Sequence, residues 1–361
     1  MNTTFEPNFA VPPGETLAET LEALGMTQAE LAERMGRPLK TINEIVGGKA
    51  MITADTALQL EKVVGVPASF WTNRERLYRD TLARLREITD LERQLDWLRA
   101  IPVKELIRLG WIPSVAEPVR RLRAVLSFFG VAGVDEWRAL WESPDAVFRQ
   151  SSVFKENHAA TAAWLRKGEL EGQKIDCRPF DETVFTETLR QLRGFTSKEP
   201  GEFVPALRER CSQGGIAVVF LAPLSGVRAY GVTRWLHSGK ALIQLSLRGK
   251  TDDQLWFTFF HEAGHVLKHG KRAIFVEALD KSAADRDPRE AEADAFAQEL
   301  LIPSGEYEAF CGIGDFSMAA IRRFATRMGI APGIVAGRLQ HERKIPFSRA
   351  NQFKRRFDFG K

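Results

Sequence analysis

The run Trp256-Phe257-Thr258-Phe259-Phe260-His261-Glu262-Ala263-Gly264-His265 sets two histidines and a glutamate inside an apolar, helix-compatible segment. On an α-helix His261 and His265 stand one turn apart, so both imidazoles leave the same face and can hold one Zn2+ at about 2.0–2.1 Å. Glu262 lies about 100° round the helix from His261, near such an ion without binding it. That is the place for a general base beside a catalytic metal.

Catalytic zinc usually takes three protein ligands and keeps one position open, so a third ligand has to come from elsewhere in the chain. The stretch Pro288-Arg289-Glu290-Ala291-Glu292-Ala293-Asp294-Ala295-Phe296-Ala297-Gln298-Glu299-Leu300-Leu301 reads as a second helix, bounded by Pro288 and Pro303. Glu290 and Asp294 share one face of it, while Ala293, Phe296, Ala297, Leu300 and Leu301 form an apolar face. Glu290 is assigned as the third ligand, with Glu292 as the alternative. Asp294 then accepts the N–H of a ligand histidine and fixes its tautomer. The bland alternative is a pair of ordinary helix histidines with Glu290 as a solvated charge. His269, one turn beyond His265, lies about 12 Å along the axis from His261, too far to share an ion with both histidines. It stands just before Gly270, where a histidine suits a helix C-terminus, and is taken as structural.

From Gly215 through both helices to Leu301-Ile302-Pro303 the chain resembles the ImmA/IrrE family of metallopeptidases. The family's Phe-Ala-x-x-Leu-Leu-x-Pro ending stands here as Phe296-Ala297-Gln298-Glu299-Leu300-Leu301-Ile302-Pro303. The resemblance implies a zinc-dependent endopeptidase, often directed at a DNA-bound repressor, and leaves the substrate open.

The 361 residues suggest two or more domains, and a hydrophobic fraction of 44% is ample for packed cores. A formal net charge of +4 argues only weakly for nucleic acid, so local patches decide that question. Cys177, Cys211 and Cys311 are scattered and form no Cys-x-x-Cys pair, which excludes a zinc finger or a disulfide scaffold and suits a reducing cytosol. Residues 1–7 show no secretory pattern, and no apolar run approaches about 20 residues. A soluble, cytoplasmic protein without membrane contact is expected.

Residues 13–78 carry five short helical patterns. Thr27-Gln28-Ala29-Glu30 is a capping box, Gly36 turns the chain, and a third helix from Leu39 holds Ile42, Ile45 and Val46. Two short helices about a Gly turn make a helix-turn-helix, or else a small helical packing module. In the first case Lys40, Thr41, Asn43 and Glu44 would read base edges and Lys49 would meet phosphate. Leu-x-x-Leu-Gly, Thr-Gln-x-Glu-Leu-Ala, Thr-Ile-Asn-Glu-Ile, Gly-Lys and Phe-Trp, in this order, resemble the HigA-type antitoxins of the XRE class. That resemblance implies binding of double-stranded operator DNA as a homodimer.

Residues 79–213 read as a mainly helical connector. Its arginines between Arg74 and Arg123 alternate with Glu75, Glu87, Asp90, Glu92 and Asp96, which suits a solvated helix face. Trp97, Trp111, Phe128, Phe129, Trp137, Trp141, Phe148, Phe154 and Trp164 supply an aromatic core. At Gly214 the pattern changes to three strands, 216–221, 229–235 and 241–247, ahead of the first zinc helix; an edge strand there could pair with an extended peptide. Asp252 and Asp253 suit that helix's N-terminal cap. His341, near the end of a helix beginning at Pro332, is a candidate for stabilising an oxyanion or a structural residue. Lys354-Arg355-Arg356 with Lys361 forms a basic tail, expected to be solvated.

The expected fold is therefore multi-domain and mainly α, with a small α+β zincin domain. A five-helix DNA-binding domain (13–78), the connector (79–213), the zinc domain (214–345) and a basic tail (346–361) follow in order. The expected function is a DNA-binding regulator whose zinc endopeptidase cleaves a partner repressor or antitoxin. The competing expectation is an antitoxin-like regulator whose zinc domain senses or binds a partner without proteolysis.

Overall fold

The computed structural model describes residues 8–142, 157–246, 248, 251–270, 275–278 and 288–357. Phe148, Phe154, Leu247 and Lys361 lie outside them. The chain divides into two compact units, one made of residues 1–96 with 116–122 and the other of 97–115 with 123–361. No helix among the described residues is long and apolar enough to cross a membrane.

In the first unit α1 (Pro13–Ala23), α2 (Gln28–Met35), α3 (Leu39–Val46), α4 (Ala54–Val64) and α5 (Ala68–Glu92) follow one another closely. Thr27 caps α2 as the sequence requires: its hydroxyl accepts from Glu30 N at 3.2 Å, and the Glu30 carboxylate accepts from Thr27 N at 2.8 Å. Gly36 ends α2 in the left-handed region at φ 64°, where a residue without Cβ is at ease. Leu17, Leu31, Ile42, Ile45, Leu60 and Trp71 close the core between these helices. Glu75 departs from the solvated face expected for it. It is buried and accepts from Ile52 N at 3.1 Å and Arg79 Nε at 2.7 Å, because the turn before α4 leaves a backbone donor pointing into α5.

The helices α6 (Val103–Arg108), α7 (Pro118–Phe129), α8 (Val134–Trp141), α9 (His158–Lys174), α10 (Glu182–Leu192) and α11 (Pro200–Gln213) precede the sheet; all belong to the second unit except residues 118–122 of α7, which fall in the first. Trp97, Phe129 and Trp137 pack edge to face, with Trp97 and Trp137 centroids 5.1 Å apart, and with Phe128, Trp141 and Trp164 they are buried as core, while Trp111 is half-buried.

Three strands precede the helix that carries His261 and His265, β1 (Ile216–Phe220), β2 (Ala229–His237) and β3 (Lys240–Leu245), and a fourth, β4 (Phe275–Ala278), follows it. The order is β1-β3-β2-β4, with β1 parallel to β3 and β2 antiparallel to both its neighbours. β4, absent from the sequence reading, therefore covers the side of β2 that would otherwise be an edge. The sheet is buried on both faces. Ile216, Val218 and Ile243 face one core, while Ala217, Val219 and Leu242 face the other, as a two-residue period dictates.

The helices that follow are α12 (Asp252–Lys268), α13 (Pro288–Leu301), α14 (Ser304–Ile313), α15 (Met318–Met328) and α16 (Pro332–His341). The basic tail corrects the sequence reading: it is docked rather than solvated. Arg356 bridges to Thr251, Asp252 N donates to Arg355 O at 2.9 Å, Lys354 Nζ lies 2.6 Å from Asp253, and Arg355 Nε lies 3.2 Å from Asp252. Asp252 and Asp253 stand in the first turn of α12 behind the N-cap Thr251, and both are buried. Buried acids require paired charge, and the tail supplies it. Burial still outweighs Arg355 at Asp252, pushing its carboxyl up to about 6.

Candidate metal centre

Helix α12 is buried nearly all round. Trp256, Phe259, Phe260 and Ala263 turn into the main core, and His261, Glu262 and His265 are themselves no more than 1% exposed. Burial of that kind fixes side-chain rotamers. β2 holds the helix at the height of Glu262: Thr233 Oγ1 donates to Glu262 O at 2.9 Å, and two residues earlier Gly231 faces the Glu262 side chain. A Cβ on Gly231 would come within 2.7 Å of Glu262 Oε1 and of Thr258 Cγ2, closer than real Cβ contacts come. Glycine is thus what lets the sheet and the carboxylate approach one another.

Helix α13 brings its acidic face to the histidines. Nε2 of His261 and Nε2 of His265 lie 3.0 Å apart, and Glu290 Oε2 lies 3.4 Å from the first and 3.9 Å from the second. These three residues form a group suited to holding a metal ion. Tetrahedral ligands at about 2.0–2.1 Å from zinc stand roughly 3.3–3.4 Å from one another. The three separations bracket that value, and two imidazole nitrogens aimed at each other beside a carboxylate match the donor set of a His2Glu zinc site. The residues fit the group.

Behind the donors, each histidine is held through its other nitrogen. Asp294 Oδ1 lies 2.8 Å from His261 Nδ1, the position expected for it. His265 Nδ1 lies 2.9 Å from Nδ1 of His269, whose Nε2 lies 3.1 Å from Glu292 Oε2. Glu292, the alternative ligand, is therefore directed at His269 and not at the donor nitrogens. His269 is the residue that sequence reasoning placed only at a helix end. The i, i+4, i+8 series of histidines carried the signal, but the 12 Å argument rules out a shared ion without ruling out a ring-to-ring contact. His269 sits at the helix end in extended backbone, φ −117° and ψ 143°, which frees its ring to meet His265.

His341 is exposed at the end of α16 and lines a cavity with Phe257 and Thr258 of α12. In the first unit Ile42 and Ile45 of α3 are buried, Lys40 and Asn43 are exposed, and Thr41 and Glu44 are half-buried. Lys40 Nζ stands 3.9 Å from Glu44, so the acid on this face has a basic neighbour. Lys49 is exposed beyond the helix, its N–H bonded to Glu44 O at 2.8 Å.

Residues 211–340 match the peptidase M78 model, described as an IrrE N-terminal-like domain, and residues 17–71 match a helix-turn-helix model. Over 70 residues, 19% of this chain, it is 40% identical to Virulence-associated protein I of Dichelobacter nodosus, spanning 65% of that protein. Over 81 residues, 22% of this chain and 84% of the relative, it is 28% identical to the uncharacterized HTH-type transcriptional regulator YddM of Escherichia coli (strain K12). A solved structure of an addiction module antidote protein of a HigA family from Coxiella burnetii is 35% identical over 23% of this chain and 92% of that one, with a TM-score of 0.22. The chain thus joins an XRE-type helix-turn-helix domain to a peptidase M78 domain.

Proposed function

We propose that this chain, an XRE-type helix-turn-helix domain joined to a peptidase M78 domain, is a DNA-binding regulator that carries a zinc endopeptidase and cleaves a partner repressor or antitoxin. The observation that carries the reading is the convergence of His261 Nε2, His265 Nε2 and Glu290 Oε2 within 3.0–3.9 Å beside the buried Glu262. A structural metal site has no use for a glutamate held at that height; a hydrolytic one needs a base there.

His261, His265 and Glu290 would hold the zinc, which when bound supplies a Lewis acid that polarises a peptide carbonyl and activates water near neutral pH. Asp294 and His269 orient the two imidazoles. Glu262 takes the proton from water as it attacks the carbonyl carbon and passes it to the departing amine. Thr233, bonded to the Glu262 main-chain carbonyl, and the close, Cβ-free approach of Gly231 to its side chain hold Glu262 in place for this. In the first unit, Lys40, Thr41, Asn43 and Glu44 face base edges and Lys49 meets phosphate, as a homodimer on double-stranded operator DNA.

The ligand assignment is tested by elemental analysis of the purified full chain. Glu290→Ala should lose most of the zinc that wild type retains, whereas Glu292→Ala should retain it through purification. Full zinc in Glu290→Ala would overturn the assignment.

A further inference from the structure

The turn between α3 and α4 carries Lys49, and one turn of α5 fixes it. Glu75, whose side chain is 6% exposed, accepts from Ile52 N at 3.1 Å through Oε2 and from Arg79 Nε at 2.7 Å through Oε1. Tyr78, next to Arg79 in the chain, reaches the start of the same turn, where a Cβ on Gly48 would lie 3.3 Å from its hydroxyl. Lys49 N and Ala50 N both donate to Glu44 O, at 2.8 and 2.9 Å, which ties the turn back to α3. Two cations, Lys49 and Arg79, are thus held to one short stretch of backbone.

Arg79 is unlike its neighbour on the helix. Arg76 pairs with Asp80 at 3.1 Å, and both side chains are more than half exposed, the solvated kind of ion pair that contributes little. Arg79 is only one-third exposed, its guanidinium carbon lies 5.1 Å from the Tyr78 ring centroid, and its Nε is committed to a buried carboxylate. An arginine held through Nε still presents its two terminal nitrogens, the end of the fork that suits a phosphate. Fixing the stem beforehand removes rotamer entropy that a free side chain loses on binding. A residue needed only to satisfy Ile52 N could be an amide, which avoids burying a charge. The charge at Glu75 is explained by what it holds.

From this we infer that Arg79 is a further contact to the DNA backbone, at the same turn as Lys49, and that Glu75 is the positioning residue that aims it. The inference rests on the DNA-binding reading of the first unit. The contact is to phosphate and not to a base edge, so it strengthens binding to any duplex and carries no sequence preference.

The test titrates a fluorescein-labelled random-sequence duplex with the full chain, by anisotropy across a salt series, for wild type, Glu75→Gln/Arg79→Gln and Arg79→Lys. The double variant removes one charge of each sign, so net charge is unchanged, and the amide oxygen introduced at position 75 still accepts from Ile52 N. A merely structural ion pair therefore predicts the wild-type salt slope. A phosphate contact predicts a logarithmic slope flatter by about 0.9 per bound copy and binding roughly tenfold weaker at about 0.1 M salt. Arg79→Lys, which keeps a cation at the turn, should retain most of the slope. Arg79→Met, which keeps the stem over Tyr78 without the charge, gives the same reading as the double variant should that protein fail to fold. An unchanged slope in a folded uncharged variant, or an equal loss in Arg79→Lys, would overturn the contact and leave the DNA-binding reading standing. Absence of salt-dependent duplex binding by wild type would overturn that reading and the contact with it.

Discussion

Gly231 of β2 faces Glu262 of α12 so closely that a Cβ added to the glycine would lie 2.7 Å from the glutamate's Oε1. Sheet and helix are thereby locked at one height, and the carboxylate has one place to stand. Gly231→Ala should displace Glu262 without touching the metal donors. Peptidase activity on a partner substrate should fall by roughly a hundredfold, the scale for misplacement of a catalytic group by about an ångström. Zinc content by elemental analysis should be unchanged. A fully active Gly231→Ala would remove the positional argument.

The His269–Glu292 pair holds His265 much as Asp294 holds His261. Removing such a contact typically lowers metal affinity by about 10–100-fold. His269→Ala and Asp294→Asn should each weaken zinc binding on that scale in competition with a chromophoric chelator. Glu292→Gln, which acts one contact further out on a largely exposed side chain, should have the smallest effect. An unchanged affinity in His269→Ala would reduce that ring to a helix end.

The docked C-terminal tail carries a pH signature. The Asp252 carboxyl, raised by burial to about 6 from an ordinary value of 3.8, binds a proton in the folded state at pH values where the unfolded chain has released it. Its contribution to stability is therefore fully present below about pH 3.8 and is lost as pH rises through about 6, a change on the order of 2–3 kcal/mol. Comparing denaturation midpoints of wild type and Asp252→Asn isolates the group from the histidines. The wild type should lose stability relative to the variant between pH 4 and 6, and parallel profiles would contradict the shift.

On the helix-turn-helix face, Lys49 is exposed just beyond α3, with its main-chain N–H tied to Glu44 O. A phosphate contact there predicts that Lys49→Ala weakens binding to any duplex and flattens the logarithmic salt dependence by about 0.9. Asn43→Ala should leave that slope alone and weaken only sequence-selective binding. Fluorescence anisotropy across a salt series on a random-sequence duplex reads the first effect, and an unchanged slope for Lys49→Ala would remove the contact.

Much of the arrangement was legible in the sequence because it is written at helical spacing. The one-turn separation of His261 and His265, the face shared by Glu290 and Asp294, and the Thr27–Glu30 capping box are all local patterns that packing then preserved. What escaped was set by long-range pairing. β4 is four residues long and gains its identity only by pairing with β2. The tail basic residues carry no local sign that Asp252 and Asp253, about a hundred positions earlier, are buried and need them. Glu75 looked like one charge among many in a helix, and only the path of the chain at Ile52 gave it a donor to satisfy. His269 was weighed as a ligand and set aside by distance along the axis, while its ring contact depends on the chain leaving the helix at that residue.

The central claim is that Glu262 turns a zinc site into a peptidase. The most direct measurement expresses wild type and Glu262→Gln with the neighbouring genes of the native locus and compares co-purified partners by intact mass, alongside zinc content. Equal zinc in both proteins, with a partner cut only in the presence of wild type, is the predicted result. Zinc in both with an uncut partner bound equally to each form would contradict it and leave a regulator whose metal domain binds without cleaving.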